Sequence, residues 1–524
     1  MKQLHSFLQG SWKPGIGDDI SLLDPTTEGA VAVCKKAASL ADAVAWGRAT
    51  GGPALRAMTF AERGVLLGDM ARIVSEHRDE LLTLAANNGG NTRGDGKFDV
   101  DGGTAVLSAY AELAKELGDA PWLVEDEPAL LFHGSKLRAQ HVSLPRHGLA
   151  IHINAFNFPA WGMLGKIATA FLAGMPVLTK PATSTSLVAH RIVEILVESE
   201  VLPAGALQLL MGPAGDLLDH VGSQDVVAFT GSADTGAKIR THAAVVAHGV
   251  RVNVEADSLN AVVLGPGVDQ GTELFDLAVR DLVTEMTQKA GQKCTATRRV
   301  LVPSDKLEDF REAVMERLAA MADKTGDPRD KGNRMGPLAT AGQLRDARDG
   351  VAKLSEHAAV LRGDPSRAEF SGVEAGKGYF LEPILLEASP ERALDPDAAF
   401  HVMEVFGPVC TLLPYDGTPT TAAAIISLGH GSLVSTLYSD DRAWIAESIP
   451  NIAPHLGRLV VADEKSARAS MSPGCVFPVA NHGGPGRAGC GGELGGIAGL
   501  SLYMQRTALQ GGASNLARIV GRKG

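Results

Sequence analysis

At 524 residues the chain exceeds what one hydrophobic core supports and calls for two or three domains. Hydrophobic residues make up 45% and charged residues 21%, the proportions of an ordinary soluble globular protein. Lys and Arg number 49 against 60 Asp and Glu, a net charge of −11 that excludes a general nucleic-acid binder but leaves room for a local basic patch facing a phosphorylated ligand.

The N-terminal MKQLHSFLQGSW lacks the apolar core of a signal peptide. Residues up to about Asp119 are expected to be mainly helical. Ser39 to Trp46 and Thr59 to Ala86 space apolar residues by three and four, with Thr59 placed as an N-cap ahead of Glu62. A Gly-, Asn- and Asp-rich run follows from Asn87 to Gly103, and Thr104 to Leu117 reads as the next helix. LLFHGS, KLRAQHVSL and LAIHIN, between Leu130 and Asn154, predict strands, the first two a hairpin leaving the main body. LSLYMQRTALQ, Leu500 to Gln510, is a second orphan strand, suited to pair with that hairpin or with another subunit.

From Ala150 to Leu264 strand and helix patterns alternate: GMPVLTKPAT, a helix over Ser186 to Glu200, GALQLLMG, a short helix over Asp216 to Val221, DVVAFTGS, and a strand from Asn260. This rhythm predicts a parallel sheet with crossover helices. A second alternating region runs from about Asp269 to Pro473, and the Gly-rich Asn481 to Gly496 reads as a loop. The five cysteines, Cys34, Cys294, Cys410, Cys475 and Cys490, are odd in number and scattered, so neither a disulfide framework nor a metal site is expected. No run of about 20 apolar residues predicts a membrane span, and a cytoplasmic location is the default.

Six stretches carry chemistry. In EMTQKAGQKCTATRR, Cys294 stands among small residues that let a substrate carbon approach a thiol. In HINAFNFPAWG, Asn157 sits where a strand ends, with Pro159 placed in the first turn of the next helix, and its amide suits a developing oxyanion. Nine residues on, Lys166 falls within that helix. Lys180 and Thr183 end another strand, where open α/β sheets bind ligands, and offer a charge and hydroxyls to a phosphate. Gly231-Ser232 leads from a strand into a helix start, a weak anion signal alone. Glu255 leaves an apolar strand, where poor solvation is expected to raise its pKa toward that of a usable base. In EVFGPVC, Glu404 suits ribose hydroxyls and Phe406 a flat ring.

Taken in order, Asn157-Phe158-Pro159, Lys180-Pro181, Phe229 to Gly236, Glu255, Gly291 to Cys294 and Glu404 to Pro408 resemble the motifs of the aldehyde dehydrogenase superfamily over nearly the whole chain. The resemblance implies an α/β fold: a Rossmann-like cofactor domain (1–129 and 151–256), an α/β catalytic domain (257–496) and a small β oligomerisation element (130–150 and 497–524). It also implies Cys294 as nucleophile, Asn157 and the Cys294 N–H as oxyanion donors, Glu255 as base, and Lys166 with Glu493 as a proton relay. Ala155, Phe156, Lys180, Thr183, Gly231, Ser232, Glu404 and Phe406 are the implied dinucleotide contacts. Thr183 stands where many NAD-using members carry Glu, so NADP is the expected cofactor. Glu255-Ala-Asp-Ser-Leu-Asn and HGGPGRAG resemble the branch acting on coenzyme-A-linked semialdehydes, which implies a CoA-thioester substrate and a homodimer. Two alternatives stand beside this: a CoA-acylating dehydrogenase, which does not need Glu255 to activate water, and a cysteine thioesterase or acyltransferase, which wants a His beside Cys294 although none lies between Gly249 and His357.

Overall fold

The computed structural model describes residues 1–469 and 471–521. Two seven-stranded sheets organise it. The first runs, in spatial order, Arg251–Glu255, Val226–Thr230, Ala150–Ile153, Val177–Lys180 and Leu207–Leu209, all parallel, and then adds Ser6–Leu8 and Ser11–Lys13 antiparallel. Chain order reverses between Ala150–Ile153 and Val226–Thr230, which makes their carboxyl ends the switch-point crevice where such sheets bind ligands. In the second sheet, six parallel strands between Ala261 and Ala462 follow an antiparallel edge strand, Ala359–Arg362.

A third sheet joins the two orphan segments. Met504–Gly512 pairs antiparallel with Leu137–Pro145, which pairs with Leu123–Leu130. The first strand of this hairpin therefore lies upstream of its expected place, and most of LLFHGS forms the turn. Leu130, Leu131, Phe132 and Leu137 are exposed at the turn end.

The first 120 residues are mainly helical, as expected, with helices from Ala41 to Leu117, but five strands occupy Lys2 to Lys36. Three of them span only three residues, too few for an alternating pattern to show. The helix expected from Thr104 begins earlier, within the Gly-rich run: one 25-residue helix covers Arg93–Leu117. Its glycines serve packing. A Cβ on Gly102 would lie 2.2 Å from the Trp161 ring and one on Gly103 3.3 Å from the Ala160 backbone. The expected cap at Thr59 is present, with Thr59 Oγ1 accepting from the Glu62 N–H and Glu62 returning the bond.

Candidate active site

The helix Glu273–Thr287 ends against a turn in which Lys289 and Ala290 adopt positive φ (53° and 52°) and Gly291 follows at 67°. A side chain at Gly291 would collide with the Gly407 carbonyl, 2.3 Å from its Cβ position, so the turn before Cys294 is clamped to the Glu404–Pro408 turn. Arg298 completes the clamp, donating to the Gly407 and Gly291 carbonyls and to Glu404 Oε1. Asn260 Nδ2 donates to the Cys294 and Ala296 carbonyls at 2.8 and 2.9 Å. Cys294 is thus presented on a rigid backbone, half-buried, where two cavities meet.

One cavity is a channel walled by Phe98, Phe158, Trp161, Val476 and Leu494, with Cys294 and Glu255 at its floor. Phe98 and Phe158 both meet Trp161 edge-on, at 5.1 and 5.9 Å between centroids, so the wall is a fixed aromatic cluster. The other is the switch-point cleft, lined by Ala155, Phe156, Lys180, Gly231, Ser232, Glu404 and Phe406. All the expected dinucleotide contacts line it except Thr183, which begins a 3₁₀ turn beside Ala182 and bonds Ser186 through its carbonyl. The side chain facing the cleft in that segment is Ala182. Phe156 and Phe406 meet edge-on at 5.7 Å, and Arg298 lies over the Phe406 ring. Glu404 is held on both oxygens, by Arg298 and the Ser258 N–H; burial raises its pKa and Arg298 opposes the shift. A helix start capped by Ser232, an amine at Lys180 and a flat Phe406 fit a dinucleotide's phosphates and ring.

Asn157 and Glu255 line both cavities with Cys294. Asn157 Nδ2 donates to the Gln292 carbonyl at 3.0 Å, which aims the amide at the cysteine turn. Pro159 falls just ahead of the helix Trp161–Leu172 rather than in its first turn; Asp99 caps that helix through the Trp161 N–H at 2.8 Å. Lys166 pairs with Glu493 at 3.2 Å and donates to Thr230 Oγ1 at 2.7 Å; Thr230 Oγ1 lies 3.4 Å from Glu255 Oε2. The expected relay residues are therefore connected to Glu255 through a hydroxyl that the sequence did not single out.

His482 was also missed. Residues 481–496 do not form a plain loop: Asn481–Gly484 and Gly491–Leu494 pair antiparallel, with His482 opposite Glu493. His482 Nε2 lies 2.9 Å from Glu255 Oε1 and 3.7 Å from Cys294 Sγ. Glycines let this hairpin press on the strand that carries Glu255, for a Cβ on Gly489 or Gly491 would sit 2.3 Å from the Val254 carbonyl oxygen. Gly491→Ala is accordingly expected to cost about 1–3 kcal/mol in urea denaturation, the usual range for overpacking.

The expected rise in the Glu255 pKa does not occur. Burial pushes it up, but His482 and Lys166 outweigh burial and hold the carboxyl down at about 2. The Cys294 thiol moves the other way, well above its ordinary value, through burial and the Glu255 charge. The resting pair is a carboxylate beside a neutral thiol.

The sequence model of the aldehyde dehydrogenase family matches residues 12–508. The chain belongs to the aldehyde dehydrogenase family. Among curated relatives of this family, "3,4-dehydroadipyl-CoA semialdehyde dehydrogenase" of Aromatoleum evansii is 43% identical over 92% of this chain and 93% of its own length. "Alpha-ketoglutaric semialdehyde dehydrogenase" of Bacillus subtilis (strain 168) is 31% identical over 69% of this chain and 70% of its own. Among solved structures, betaine aldehyde dehydrogenase of Staphylococcus aureus superposes with a TM-score of 0.82 at 22% identity, covering 97% of this chain and 95% of that one. 3,6-Anhydro-L-galactose dehydrogenase in complex with NAP does so with a TM-score of 0.82 at 22% identity, covering 97% and 100%. The aldehyde dehydrogenase fold expected from the motifs is thus present. Among the described residues, no helix is long and apolar enough to cross a membrane.

Proposed function

We propose that this enzyme oxidises a coenzyme-A-linked semialdehyde, 3,4-dehydroadipyl-CoA semialdehyde or a near analogue, to its carboxylic acid with NADP and through a thioester on Cys294. The observation that carries the reading is the meeting of Cys294, Asn157 and Glu255 at the junction of an apolar channel and a dinucleotide-sized cleft. The substrate assignment rests on the 43% identical relative and its printed activity.

In this mechanism the Cys294 sulfur attacks the aldehyde carbon at the channel floor. The Asn157 amide and the Cys294 backbone N–H donate to the oxygen as charge collects on it. Lys180, Gly231, Ser232, Glu404 and Phe406 would hold a nicotinamide dinucleotide in the cleft, where its ring would supply the hydride acceptor. Glu255 takes a proton from water as the thioester is hydrolysed, and Thr230, Lys166 and Glu493 lead that proton away. The walls of Phe98, Phe158 and Trp161 exclude bulk water from the thioester until release.

The preference for NADP rests on Thr183 in place of a glutamate and on Lys180 at the cleft. Lys180→Ala is expected to raise KM for NADP about 10- to 100-fold, the worth of one charge-assisted hydrogen bond. KM for NAD should move much less, and steady-state kinetics with both cofactors checks this. Wild-type kinetics favouring NAD count against the assignment.

The sheet formed by Leu123–Leu130, Leu137–Pro145 and Met504–Gly512 we read as the oligomerisation element of a homodimer, supported by its exposed Leu130, Phe132 and Leu137. On this reading the cofactor and catalytic domains correspond to the two large sheets.

His482 supplies the feature that a cysteine thioesterase wants. The dinucleotide cleft opening on the same sulfur favours oxidation. Glu255, in reach of the same site, favours water over free CoA as acceptor. Purified protein with NADP, NAD or no cofactor, offered aldehydes with and without a CoA tail, separates these readings. Reduced-cofactor absorbance with a CoA-linked semialdehyde, and none without it, is the expected result. Cofactor-free release of acid from a thioester would favour the thioesterase, and acyl-CoA formation from free CoA the acylating enzyme.

A further inference from the structure

Cys294 must lose a proton before it can attack, and its surroundings oppose that loss: the site is buried and the Glu255 carboxylate faces the sulfur. In the proposed mechanism Glu255 must be free to take a proton from water, so a separate acceptor at the sulfur would divide the two transfers between two groups. His482 stands beside both. His482 Nε2 is 3.7 Å from Sγ and 2.9 Å from Glu255 Oε1, and the three donor atoms lie within 4.8 Å of one another.

We propose that His482 is the catalytic base for Cys294, accepting the thiol proton on the one nitrogen, Nε2, that also faces Glu255. The inference rests on Cys294 being the nucleophile. In the step, the S–H bond breaks with its electron pair left on sulfur, and an Nε2–H bond forms. The product is a thiolate beside an imidazolium whose charge is met by the Glu255 carboxylate. This differs from the familiar Cys-His arrangement, in which the second ring nitrogen binds the orienting group. Here one nitrogen serves both partners, so the proton taken from sulfur stands within reach of Glu255 Oε1. Once the thioester has formed, the proton passes to that oxygen and on toward Thr230, Lys166 and Glu493, which frees Glu255 for water.

The charged groups around this imidazole come from four elements. Glu255 ends the strand Arg251–Glu255, Glu493 lies opposite His482 on the hairpin, Lys166 reaches in from the helix Trp161–Leu172 to pair with Glu493, and Cys294 sits on the clamped turn. Lys293 and Glu404 act on the sulfur from further off, with opposite signs. Around the imidazole itself two carboxylates face one amine.

The test is the pH dependence of Cys294 alkylation by iodoacetamide, read by mass spectrometry on the Cys294 peptide because Cys490 is exposed and labels as well. In the wild type, alkylation holds a plateau around pH 7 and rises again only as the bulk of thiol titrates. His482→Gln keeps a polar group against Glu255 but cannot accept a proton. It should lose the plateau, slow labelling about 100-fold near neutrality, the low end for a positioned acid–base group, and converge on the wild type at alkaline pH, where the thiol titrates without a base. A distorted site would be slow at every pH and would not converge. Unchanged labelling in His482→Gln near neutrality overturns the proposal, as does a wild-type profile without a plateau. The wild-type arm decides even where the variant fails to fold. Alkylation needs neither aldehyde nor dinucleotide, so a chain that oxidises no CoA-linked semialdehyde yet keeps a His482-dependent plateau upholds this inference and refutes the proposed function.

Discussion

Cys294→Ala is expected to abolish aldehyde oxidation, with kcat/KM falling at least roughly 10⁴-fold, as when the nucleophile of a covalent mechanism is removed. Such a loss corresponds to about 5.5 kcal/mol of transition-state stabilisation. The change deletes one half-buried sulfur and nothing that holds the turn. Asn260 still binds the backbone carbonyl at position 294, Arg298 still joins Gly291 and Gly407, and Gly291 keeps its left-handed conformation. Asn157, which donates to the Gln292 carbonyl, keeps its aim. Dinucleotide binding, followed by intrinsic fluorescence, should therefore be retained while turnover is lost. Residual activity within tenfold of the wild type would mean that the reacting carbon is attacked by something other than this sulfur.

Glu255→Gln should behave differently in time. In the proposed mechanism, attack and oxidation need the sulfur and the oxyanion donors, and hydrolysis needs the carboxylate. A rapid burst of one reduced cofactor per active site is expected, followed by steady-state turnover slowed about 10²- to 10⁴-fold, the range for loss of a general base. The stalled species is an acyl group on the Cys294 peptide, visible as added mass in a quenched sample. Glutamine preserves the shape that meets His482 and Thr230, so slow hydrolysis is not explained by collapse of the pocket. Full steady-state turnover in this variant would assign water activation to another group, and His482 stands nearest.

Much of this site was legible in the sequence because its residues occupy the ends of recognisable elements. Asn157 and Lys180 follow or close apolar strands, Glu255 ends one, and Cys294 precedes another, so the alternation of strand and helix placed them near strand ends, and the ordered motifs joined them into one site. The helix Arg93–Leu117 was illegible in its first half because glycine lowers helix propensity, whereas these glycines are selected by what crosses the helix, the Trp161 ring and the Ala160 backbone. The Glu255 pKa was misjudged for a related reason. Burial is readable from an apolar strand, but the imidazole and amine that outweigh it come from residues 482 and 166, distant in the chain. His482 itself carried only a faint signal, a histidine beside a run of glycines, and its meaning depends on the hairpin being thin enough to reach strand Arg251–Glu255. Thr183 shows the converse: a motif position does not decide which neighbour faces the cleft, and Ala182 does so.

The hairpin that bears His482 has a consequence for how the protein is made. A ribosome delivers Cys294 some 188 residues before the imidazole that touches it. At ordinary elongation rates that gap lasts roughly 10–40 s. Over that span the sulfur lacks the hairpin that later stands against it, so its pocket closes only when residues 481–494 arrive.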